Sequence, residues 1–198
     1  MLSYLILRGK CRSCGAGISP RYPLVEALTS ALLVLSYYFY GPSIRFAADF
    51  IFISLLIIIS FIDIEHYLIH DLFVIAGIVL AFAYHIFAGT GIVLPLIGLS
   101  AGFVSFYSLR FIGGYVFGKE ALGEGDIKLA VMLGAFLGMS YFALTIFLAS
   151  FIGLIVAAPL LLFKKIRRDN YLPFGAFLSA GAVITLFFGE RMLRFFGF

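Results

Sequence analysis

Six of the ten acidic residues of this 198-residue chain fall in two short windows. FIDIEHYLIHD carries Asp63, Glu65 and Asp71, and KEALGEGD carries Glu120, Glu124 and Asp126. Asp63 and Asp126 each abut a long apolar run, where a charge is costly unless it is paired or functional. Two carboxyl groups held close together cannot both ionise cheaply, so they share a proton. The ionised partner can take a proton from water while the protonated one donates to a carbonyl oxygen. Such a pair hydrolyses a peptide bond with no metal and no covalent intermediate. Asp126 opens an apolar segment and Asp63 closes one. The helix dipole favours charge at an N-terminus, which makes Asp126 the expected base and Asp63 the expected initial acid.

The elements that must position this pair are membrane helices. The chain is 63% hydrophobic and 12% charged, against the roughly 25% charged residues of soluble domains. Its mean hydropathy is +1.13. The apolar runs are too long for barrel strands, and lipid leaves no partner for unpaired backbone, so they read as helices. Seven segments are expected, at about 22–40, 43–62, 71–88, 91–117, 126–138, 141–163 and 173–189. The fold class is therefore an all-α polytopic membrane bundle, with a loop over 1–21 preceding an embedded domain over 22–198. The fifth segment is shorter than the ~20 residues of a straight span, and reads as a true crossing or a deep re-entrant one.

Charge orients the bundle. One side receives Arg8, Lys10, Arg12, Arg21, Arg110, Lys119, Lys128, Lys164, Lys165, Arg167 and Arg168; the other receives Arg45, Arg191 and Arg194. The first side is cytoplasmic by the positive-inside rule. Both acidic windows fall there, so Asp63 and Asp126, far apart in sequence, come to one depth. Gly123 and Gly125 let another chain approach Asp126 closely. Gly123, Glu124, Gly125, Glu65, Glu120, Asp71 and Lys128 are the candidates for substrate contact; the acids Glu65, Glu120 and Glu124 would speed encounter with a substrate of opposite charge. For Glu65, Glu120 and Asp71 the simpler reading is a solvated loop acid. The net charge of +4 calls for no nucleic acid.

Four stretches occur in order: CRSCGAGISPRYPLVEALT, FIDIEHYLIHDLF, GEGDIKLAVMLGAFLG and LPFGAFLSAG. Together they resemble the bacterial type IV prepilin peptidases, which are GxGD intramembrane aspartyl proteases. The resemblance covers nearly the whole chain. It implies that Asp63 and Asp126 are the catalytic pair. It also implies that the substrate is a type IV prepilin or pseudopilin precursor, cut after a glycine at the cytoplasmic face of the bacterial inner membrane. The peptidase would need no cofactor. Many members also methylate the new amino terminus from S-adenosylmethionine. Full-length members carry a further amino-terminal helix and an earlier Cys-x-x-Cys, which this chain is expected to lack, and the methyltransferase activity is placed largely in that region. His70 stands where a proline is common before Asp71.

Cys11 and Cys14 are half of a four-ligand zinc site; two chains pairing their halves as a homo-oligomer, or histidines, would have to complete it. Otherwise they are two reduced thiols in a basic loop. His66 and His70 have i, i+4 spacing that can hold a metal on a helix, which the family resemblance disfavours. His85 reads as a packed or hydrogen-bonded histidine. Gly134, Gly138, Gly175 and Gly181 read as close-packing positions. The rival reading from another class is a proton-coupled transporter or channel, since acids beside broken apolar helices serve there too.

Overall fold

A computed structural model describes residues 4, 6–117, 122–162, 172–195 and 197. Glu120 and the basic residues Lys119, Lys164, Lys165, Arg167 and Arg168 lie outside the described residues. Among the described residues seven helices of 14 residues or more follow in order: α1 (Arg21–Tyr40), α2 (Ile44–His66), α3 (Asp71–Phe87), α4 (Val93–Phe117), α5 (Glu124–Leu137), α6 (Met139–Leu162) and α7 (Phe174–Phe195). No strand occurs among the described residues. Five of the helices (α1, α2, α4, α6 and α7) are long and apolar enough to cross a membrane, and α3 is a shorter apolar helix of 17 residues. The protein is a polytopic helical membrane protein.

Local chemistry sets the ends. Ser43 caps α2 by accepting from the Phe46 N–H at 3.1 Å. At the other end Tyr67 turns left-handed (φ 52°) and its N–H bonds the Asp63 carbonyl at 2.9 Å. α2 therefore runs past the expected end near residue 62, and Asp63 sits in its last turns. α7 likewise runs past Gly189, where Glu190 and Arg194 pair one turn apart.

The short α5 is the centre of the bundle. At 14 residues it is about 21 Å long, less than the ~30 Å hydrocarbon core. It need not face lipid, because Leu129, Ala130, Met132, Leu133 and Ala135 are wholly buried by its neighbours. α4 runs antiparallel against it, with Gly98 beside Gly134 and Gly102 beside Ala130, so close that a Cβ at Gly98 or Gly134 would strike the other residue's carbonyl. α3 runs parallel to it, from the Asp71–Lys128 contact to the His85–Phe136 contact. Phe52 of α2 stacks on Phe136 with ring centroids 3.8 Å apart. Gly138 (φ 76°) closes α5, and α6 begins at the next residue. α6 then returns beside α7, with Thr145 bonded to Thr185 at 3.1 Å. The helices thus alternate in direction between two ends. Gly134→Ala should destabilise the bundle by about 1–3 kcal/mol, as overpacking does, read by unfolding in mixed micelles. Gly17→Ala is the control, since nothing lies within 4 Å of its Cβ position.

Candidate active site

The last turns of α2 and the first turn of α5 meet at one end of the bundle. There Asp63 and Asp126 line a single pocket of about 240 Å³, together with Tyr67, Leu68, Ile69, Gly123, Glu124, Gly125 and Lys128. Asp63 is 5% exposed and Asp126 half-buried.

A third element completes the site. The chain Leu172–Pro173 leads into α7, and the N–H of Ala176 donates to Asp63 Oδ2 at 3.1 Å. A Cβ at Gly175 would lie 2.8 Å from the same oxygen, so the carboxylate rests against bare backbone. Sequence reasoning assigned Gly175 to helix packing alone and missed Ala176. The order of motifs was the only signal, because a backbone N–H leaves no trace in side-chain chemistry. The contact also removes the expected asymmetry. Asp63 closes α2 but lies at the N-terminus of α7, so both acids face a helix N-terminus and helix ends no longer separate base from acid.

Among the described residues the charged candidates Glu65, Glu124, Asp71 and Lys128 are each paired around the site. Arg21 pairs with Glu65, Lys128 Nζ meets Asp71 Oδ1 at 2.6 Å, and Arg110 Nη1 lies 3.4 Å from Glu124 Oε1. Lys128 thus both lines the pocket and ties α5 to α3. His66 ends α2 beside Glu65, and His70 precedes α3. His85 is buried at the opposite end, bonded to Thr90 and to the Phe136 carbonyl. A buried acid overlooked in the sequence, Asp49, is also at that far end. It is 2% exposed and paired with Arg45, whose guanidinium lies over the Tyr40 ring.

Cys11 and Cys14 sit on a small hairpin closed by Cys11 N–H to Ala16 O at 2.8 Å and Gly15 N–H to Cys11 O at 3.0 Å. Two thiols supply half of a tetrahedral zinc shell. Among the described residues no three His, Cys, Asp or Glu side chains gather to hold a metal. Chiefly the Ser13 hydroxyl, with backbone N–H groups of the turn, lowers the Cys11 thiol to about 6. Cys11 should therefore be largely thiolate at pH 7 and alkylate readily with iodoacetamide. Ser13→Ala should slow that labelling, as peptide mass analysis would show.

The fold and this site define a polytopic membrane protein with a carboxylate pair recessed at one end. The model of the type IV leader peptidase family matches residues 50–158, and that of the bacterial peptidase A24 N-terminal domain matches residues 1–40. The chain is 33% identical over 201 residues to a prepilin leader peptidase/N-methyltransferase of Dichelobacter nodosus, covering 100% of this chain and 68% of that protein. It is 34% identical over 195 residues to the protein of the same description from Pseudomonas aeruginosa (98% and 67% covered). It is 38% identical over 191 residues to a type 4 prepilin-like proteins leader peptide-processing enzyme of Escherichia coli (94% and 68% covered). No solved structure matches the chain. The chain belongs to the type IV leader peptidase family.

Proposed function

We propose that the protein is an aspartyl peptidase that removes the basic leader from type IV prepilin and pseudopilin precursors after a glycine, at the cytoplasmic face of the bacterial inner membrane. The observation that carries this reading is the shared pocket of Asp63 and Asp126, built from two separate helices. One carboxylate takes a proton from water, and the resulting hydroxide adds to the scissile carbonyl. The other carboxylic acid gives its proton to that carbonyl oxygen. A tetrahedral diol forms, and proton transfer to the nitrogen releases the two peptides. Gly123 lines the pocket with no side chain of its own and leaves room there for a peptide backbone to approach.

The orientation rests on the positive-inside rule. Arg21, Arg110 and Lys128 stand at the site's end, and Arg45 and Arg194 at the other. A transporter would place its acids near the bilayer midplane; this pair lies at one end of the bundle. Hydrolysis by this pair needs no cofactor. Zinc at Cys11 and Cys14 would need two further ligands. Methyl transfer is a separate reaction, read by supplying labelled S-adenosylmethionine with the cleaved substrate.

The testing experiment is leader removal from a synthetic prepilin by the purified chain in lipid. Cleavage supports the reading; a chain that moves protons but cuts nothing overturns it. Because Glu124 is already paired with Arg110, its attraction for a basic leader is modest. Glu124→Lys should raise KM roughly threefold at low salt, the scale of an exposed ion pair, and the difference should fade at high salt. KM titrations at two ionic strengths check it.

A further inference from the structure

α2 and α3 are joined by the short link Tyr67–His70. Tyr67, Leu68 and His70 are exposed, whereas Ile69 is 7% exposed. Its side chain enters the cleft between the starts of α5 and α7. A Cβ at Gly125 would lie 3.1 Å from Ile69 Cβ, and one at Gly175 would lie 2.9 Å from Ile69 Cδ1. Both glycines leave room for this one side chain. The Gly175 Cβ position is also 2.8 Å from Asp63 Oδ2, so the δ-methyl of Ile69 and the Asp63 carboxylate border the same small space.

Ile69 also stands, with Leu68 and Lys128, between two spaces. It lines the pocket of Asp63 and Asp126, and it lines a neighbouring cavity of about 650 Å³ formed with Leu68, His70, Asp71, Leu72, Phe73 and Lys128. The link carrying it is held at its start by the left-handed Tyr67, whose N–H is bonded to the Asp63 carbonyl. The wall is therefore tied to the backbone of the acid itself.

We infer that Ile69 determines which side chain is admitted next to the scissile bond. The inference rests on the peptidase reading above and deepens it. A peptide whose carbonyl reaches both acids must lay the residue on the amino side of the bond against this wall. A hydrogen there fits, and a methyl or isopropyl group meets a branched side chain already packed against two helices. Removing methyl groups from Ile69 enlarges the space beside the Asp63 carboxylate.

The test uses the purified full chain in lipid and three synthetic prepilins carrying glycine, alanine or valine immediately before the cut. Their kcat/KM values are compared for the wild type, Ile69→Val and Ile69→Ala. The wild type should cut the glycine substrate best and the valine substrate least. Ile69→Ala should raise the alanine-to-glycine ratio about 10-fold, the lower scale of discrimination by one methylene-sized group, with Ile69→Val between. An unchanged ratio in both variants overturns this inference while leaving the peptidase reading intact. Loss of all cleavage in both variants also overturns it, because Ile69 would then be structural. Failure of the wild type to cut the glycine substrate overturns the peptidase reading and this inference together.

Discussion

Asp63→Asn and Asp126→Asn should each lower kcat for leader removal by about 10³-fold, within the range that general acid–base groups contribute, with little change in KM. Asparagine keeps the size and the hydrogen-bond acceptor of aspartate but cannot exchange a proton. Neither change should unfold the bundle, since Asp63 keeps an oxygen for the Ala176 N–H. Two other acids are the informative controls. Asp71→Asn removes only a surface pair with Lys128 and should leave kcat nearly unchanged. Asp49→Asn alters an acid as deeply buried as Asp63 but at the far end of the bundle. It should lower stability while each folded molecule cuts normally. The measurement is single-turnover cleavage of a synthetic prepilin, normalised to folded protein. Equal losses at Asp49 and Asp63 would mean that burial, rather than the pair, matters.

The second large effect is expected at Gly175. An added methyl group at this position would come within 2.8 Å of Asp63 Oδ2 and 2.9 Å of Ile69 Cδ1. The carboxylate is the easier of the two to displace, because Ile69 is also packed against Gly125. Gly175→Ala should therefore turn Asp63 away from the Ala176 N–H and lower kcat about 100-fold, the scale of a misplacement near 1 Å. Circular dichroism should show the helices intact. An active Gly175→Ala enzyme would show that the α7 start does not position Asp63.

The helices were legible because lipid demands long apolar runs with satisfied backbone, and the segments stand between charged or glycine-containing breaks. Asp63 and Asp126 were legible because a carboxylate beside such a run is anomalous. Other features carried no such mark. Ile69 is one aliphatic residue in a four-residue link, and nothing in its neighbours says that it points inward while Leu68 points out. The Ala176 N–H belongs to every non-proline residue. Asp49 has an i, i+4 arginine that could equally have been exposed. The position of α5 inside a ring of longer helices depends on tertiary packing at Gly98 and Gly134, where the sequence shows only small residues.

The most direct test of the shared pocket is cross-linking in native membranes. With Cys11 and Cys14 changed to serine, Asp63→Cys and Asp126→Cys are combined in one chain and treated with a short bifunctional thiol reagent. Efficient linkage within one chain is the expected result. Absence of linkage, while the Asp71→Cys/Lys128→Cys pair at the rim links readily, would contradict a common site for the two acids.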